Sequence, residues 1–67
     1  MPSVSARTMC RALERNGFAI SRQNGSHRVY FRAADKLRVS VPVHTGDLPV
    51  GTLHTILKQS GLSLGDL

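Results

Sequence analysis

The run Arg22-Gln23-Asn24-Gly25-Ser26-His27 places an imidazole after an Asn-Gly turn, between Arg22 and Arg28, at the head of a strand-like segment. Histidine is the side chain whose unperturbed pKa lets it gain or lose a proton near neutral pH. Gly25 admits a substrate backbone with no Cβ in the way, and flanking guanidinium groups attract a polyanion. Such a set suits acid/base catalysis on a phosphodiester. RNA carries its own nucleophile, so it is enough to remove a proton from the 2′-OH while cations steady the charge growing on the phosphate. One positioned acid/base group contributes roughly 100-fold to 10,000-fold in rate. On these six residues alone, a polar hairpin loop with an incidental histidine fits equally well.

Around His27, Arg22 or Arg28 can stabilise the phosphorane-like state, and the backbone N–H groups of Gly25 and Ser26 can donate to it. His44, just past the third strand-like segment, is a secondary candidate; its alternative role is to hold the following loop by hydrogen bonds. Tyr30 is the other secondary candidate, expected on an exposed sheet face where it could stack a base, or else simply pack. His54 is a poorer one. With three aromatic residues and no Trp, no stacking platform is evident, so RNA binding should rest on phosphate contacts. Cys10, His27, His44 and His54 reproduce none of the close-paired spacings of zinc sites, so neither metal nor cofactor is expected.

The chain has 67 residues, with nine Lys and Arg against four Asp and Glu, a formal charge of +5 and a pI near 10.8. That length makes one domain, residues 1–67, which buries only about 60% of its unfolded surface. A covering partner would stabilise it. The charge favours a polyanion or an acidic protein as partner. Eight of the nine cations precede position 40, so the positive potential belongs to folded elements. A lone Cys10 excludes an intrachain disulfide framework and fits a reducing compartment. No apolar run approaches the roughly 18 residues of a membrane span, and no signal-peptide pattern is seen. The expected location is cytoplasmic.

The elements that must position these residues follow from periodicity. Ser5 caps a helix to about Asn16, ended by Gly17, with Ala6, Met9, Cys10 and Leu13 as its apolar face. Arg7, Arg11 and Arg15 form a basic stripe opposite; such a stripe is often just a solvated face, but in so basic a chain it is read as a contact surface, the RNA-binding candidate of this helix. Three strands follow, about 18–22, 28–33 and 37–41, with a turn at Ala34-Asp35-Lys36. Alternation assigns Val29 and Phe31 with Leu37, Val39 and Val41 to the covered face, and Arg28, Tyr30, Arg32, Arg38 and Ser40 to the other. A second helix over 49–60 turns Val50, Leu53, Ile56, Leu57 and Ser60 inward and ends at Gly61. The expected fold is α+β, α-β-β-β-α: a three-stranded antiparallel sheet with two helices on one face, like a double-stranded RNA-binding domain.

Two segments together resemble the HicA mRNA interferases, or YcfA-like family, toxins of bacterial and archaeal toxin-antitoxin pairs. The first is Gly17-Phe18 with Arg22-Gln23-Asn24-Gly25-Ser26-His27. The second is Val41-Pro42-Val43-His44, Gly51-Thr52-Leu53 and Ile56-Leu57-Lys58-Gln59-Ser60-Gly61-Leu62-Ser63. The resemblance implies ribosome-independent mRNA cleavage, a catalytic role for His27 and a HicB-type antitoxin as partner; the free toxin is expected to be monomeric. Arg28 stands where the family often has another histidine, which leaves the general acid open. Two other classes fit the charge: a noncatalytic RNA-binding module, and a basic module for an acidic protein partner. Turnover of RNA separates them.

Overall fold

A computed structural model describes residues 4–43 and 46–67. Helix α1 spans Ala6–Arg15. Its start is fixed by Ser5, whose hydroxyl accepts the Thr8 N–H at 3.1 Å, satisfying one of the helix's orphan donors. At the other end the Phe18 N–H donates to the Leu13 carbonyl and the Gly17 N–H to the Glu14 carbonyl. These two bonds make a Schellman motif, which requires a left-handed residue; Gly17 supplies it with φ of +91°. Phe18 thereby folds back into the core beside Leu13, and both are buried.

Strands β1 (Ala19–Asn24), β2 (His27–Arg32) and β3 (Leu37–Pro42) form an antiparallel meander in the order β1-β2-β3. Helix α2, Val50–Ser60, returns along β3 and ends at Gly61, whose φ is +75°. The observed order is α-β-β-β-α, an α+β fold with an open three-stranded sheet. One hydrophobic cluster joins Met9, Leu13 and Phe18 to Tyr30, Val39 and Val41 of the sheet and Leu53 and Ile56 of α2. Both helices therefore cover the same sheet face. The shortest dimension, 17 Å, is that of one helix layer on one sheet. The segments leading into the helices pair: Leu48 N–H donates to the Val4 carbonyl at 2.7 Å, and Ser5 bridges Asp47.

The register corrects the face assignment of β2. Tyr30 pairs with Val39, Arg28 with Val41 and Arg32 with Leu37, and directly paired residues share a face. The covered face of β2 is therefore Arg28, Tyr30 and Arg32, while Val29 and Phe31 join Arg38 and Ser40 on the open face. Tyr30, expected on the exposed face, is 0% exposed, so it offers no ring for a base to stack on. Arginine stems can line a core edge while their heads reach polar partners. Arg32 lies 4.5 Å from the Phe18 ring centroid, donates to the Asn16 carbonyl at 2.8 Å and grips Asp35 at 2.9 and 2.7 Å. That grip holds the Asp35 carboxyl below its ordinary value. On the open face Phe31 is half-buried beneath Arg38, 5.4 Å from its ring centroid. Val50, expected inward, is 49% exposed; Leu53, Ile56 and Ser60 are buried and Leu57 half-buried.

Candidate functional site

His27 stands at the first position of β2, directly across from Asn24 on β1 and Pro42 on β3. Two residues, Gly25 and Ser26, connect β1 to β2. Only the first has positive φ, +60°, the position at which type II′ loops place glycine. A Cβ at Gly25 would meet nothing within 4 Å, so backbone conformation, not crowding inside the protein, calls for glycine. The loop is tied down by the Val43 N–H, which donates to the Ser26 carbonyl. Among the described residues neither the Gly25 nor the Ser26 N–H donates a hydrogen bond.

The His27 imidazole is exposed and forms one wall of a groove of about 830 Å³ whose other residues include Ser40, Pro42, Thr52, Thr55 and Gln59. Among the described residues, no titratable side chain other than the imidazole lines this groove. Thr52, Thr55 and Gln59 were not singled out from the sequence; their i, i+3, i+7 spacing on α2 is the signal that marks a shared face.

Arg22 reaches the His27 face through an irregularity in β1. Ile20 pairs with Tyr30, but Arg22 pairs with Val29, the register shifting between them. In a regular strand residues two apart share a face. The extra residue, Ser21, reverses the alternation and turns Arg22 onto the open face, diagonal to His27.

Arg28, the other flanking cation, goes the opposite way. It enters the covered side beneath α1, where its Nη1 donates to the Tyr30 hydroxyl at 3.4 Å and approaches Cys10 Sγ at 3.9 Å. Its pKa is raised, chiefly by the bond to Tyr30. The Tyr30 hydroxyl donates in turn to Glu14 Oε2 at 3.2 Å. Burial foremost pushes that phenol up to about 12. Arg28 Nε is buried with no hydrogen-bond partner among the described residues. Arg7, Arg11, Glu14, Cys10 and Val43 join Arg28 around a cavity of about 380 Å³.

The sequence-expected cations thus separate into three environments. Arg22 accompanies His27; Arg7 and Arg11 accompany Arg28; Arg15, the last of the stripe, donates from Nη2 to the Asp66 carbonyl at 3.2 Å and fastens the C-terminal turn. His54 is exposed on α2. His44 lies outside the described residues. Cys10 is buried, as its helical phase requires. Among the described residues no helix is long and apolar enough to cross a membrane.

Comparison with protein families places this α-β-β-β-α domain among the small toxins of paired bacterial systems. Residues 6–62 match the family described as HicA toxin of bacterial toxin-antitoxin. The chain belongs to the HicA toxin family, which makes it the toxin half of such a pair, with an antitoxin as its partner. No curated protein matches the chain individually.

Proposed function

We propose that this toxin is a metal-independent endoribonuclease, an mRNA interferase that stops translation by cutting RNA, with His27 as acid/base. One observation carries the reading: an exposed imidazole at a glycine-containing hairpin, with Arg22 turned onto its face by the β1 irregularity. His27 removes the proton of a 2′-OH, the 2′-oxygen attacks the adjacent phosphorus, and the P–O5′ bond breaks, the departing 5′-oxygen taking up a proton from solvent water to give the 5′-OH. Arg22 and the Gly25 and Ser26 N–H groups stabilise the charge that gathers on the phosphate oxygens. Since the nucleophile belongs to the substrate, the step needs no metal-activated water.

The rest of the reading follows from family and charge. A HicB-type antitoxin, acidic where it touches this +5 chain, covers His27 and stabilises a toxin that is monomeric and cytoplasmic when free. A double-stranded RNA-binding-domain-like use of the fold accords with the helices lying on one sheet face. The purified protein should cleave RNA in EDTA and leave 2′,3′-cyclic phosphate and 5′-OH ends. Ends bearing a 5′-phosphate, or loss of cleavage in chelator that divalent ions restore, contradict the mechanism. A noncatalytic RNA-binding role draws support from one feature, the placement of Arg7, Arg11 and Arg28 across the strand from His27; absence of turnover in a protein that binds RNA would select it.

A further inference from the structure

We propose that the cavity between α1 and β2 is a built phosphate site: Arg7, Arg11 and Arg28 hold a phosphoryl group of a bound RNA strand on the side of β2 opposite His27. The proposal rests on the RNA reading above only for the source of the phosphate. Three arginines line it, two from successive turns of α1 and one from the strand beneath. Like charges at i, i+4 repel, yet none of the three forms a salt bridge among the described residues, where the ion pair is Arg32 with Asp35. The one carboxylate on the wall, Glu14, is engaged by the Tyr30 hydroxyl.

Arg28 gives the cavity its direction. Its Nη1 contacts are long, 3.4 Å to oxygen and 3.9 Å to sulfur, and its Nε is buried without an acceptor among the described residues. Nε has almost no accessible surface, so a ligand in the cavity meets Nη2 first and pairs Nε only as the side chain shifts, which the long Nη1 contacts permit. An unpaired buried donor gains a full bond by that shift. The Nε and Nη2 donors form the planar edge of guanidinium that matches two oxygens of one phosphate. Among the described residues, no arginine lines the His27 groove. His27 and Arg28 are consecutive residues on opposite faces, so a strand that fills both sites turns around the end of the sheet where Val43 closes on Ser26.

The test measures binding of inorganic phosphate and of matched oligoribonucleotides with and without a 5′-phosphate, across a salt series. Arg11→Gln and Arg28→Gln should each weaken RNA binding about tenfold and flatten the salt slope by about one, while Lys36→Gln, an equal charge change at the β2–β3 turn, should not. Preference for 5′-phosphorylated RNA that Arg28→Gln abolishes identifies a terminal phosphomonoester; equal loss for both oligonucleotides identifies an internal phosphodiester. Should Arg28→Gln fail to fold by circular dichroism, Arg7→Gln with Arg11→Gln on the exposed helix face decides. Folded variants that bind phosphate and RNA as wild type does overturn the site, and if they lose antitoxin instead, the cavity belongs to an acidic protein side chain. Failure of the wild type to cut RNA would refute the nuclease reading and leave this binding result standing.

Discussion

The two sides of strand β2 carry opposite kinds of surface. On the open face His27 borders a groove walled by hydroxyl, amide and apolar groups, with Arg22 alongside. On the covered face, one residue further on, Arg28 joins Arg7 and Arg11 in a cationic cavity whose polar groups brace one another through Tyr30 and Glu14. The difference shows how a short strand separates functions: alternation sends adjacent residues to environments that share a backbone but little else. In the proposed nuclease, proton transfer lies on one side and much of the electrostatic affinity on the other. A strand makes this division at no cost in chain length, which suits a chain of 67 residues.

Tyr30 is the divider, so its removal should have the largest effect. Tyr30→Ala empties a fully buried ring site beneath α1 and should cost about 3–5 kcal/mol, seen as a collapse of the thermal midpoint. Tyr30→Phe should cost about 1 kcal/mol through the lost hydroxyl bonds. If Tyr30→Ala melts like wild type, the covered face is not what holds the sheet to the helices. The same residue gives an alkaline signature. Its phenol is raised to about 12 in the fold against about 10 unfolded, so its contribution is fully present below pH 10 and is lost as pH rises through 12. Denaturant titrations at pH 9 and above should follow this fall in wild type and miss it in Tyr30→Phe.

Smaller changes sharpen the contrast. Arg22→Gln should lower cleavage about tenfold, less than loss of a buried donor because the side chain is exposed, and leave the melting point nearly unchanged. Equal cleavage by this variant would mean that the β1 irregularity does not serve the site. Gly17→Ala should cost about 1 kcal/mol, since φ of +91° disfavours a Cβ that would also sit 3.3 Å from the Arg32 stem. Least of all, Arg15→Gln should affect RNA binding less than Arg11→Gln does, because Arg15 fastens the Asp66 carbonyl.

Elements with end signals were the most legible in the sequence. Ser5, Gly17 and Gly61 mark helix ends through local backbone needs, and each occupies the position those needs dictate. The phase of β2 was not legible from apolarity: Val29 and Phe31 suggest an inward face, yet Arg28, Tyr30 and Arg32 occupy it because their long stems bury while their polar ends find Cys10, Glu14, Asn16 and Asp35. That error placed Arg28 on the open face, and adjacency in the sequence grouped it with His27, whose face alternation denies it. The irregularity at Ser21 has no compositional mark, so Arg22's placement required the register. His27 at a hairpin could be read from Asn24-Gly25, whereas the groove opposite it depends on how α2 returns along β3.

The most direct measurement pairs a cleavage rate with an RNA affinity for His27→Ala. The division across β2 predicts that this variant, folded and as stable as wild type, loses at least about 100-fold in cleavage rate while its affinity stays within a few-fold of wild type. Cleavage retained by the folded variant, or affinity lost in step with rate, would contradict the assignment of chemistry to one face and binding to the other.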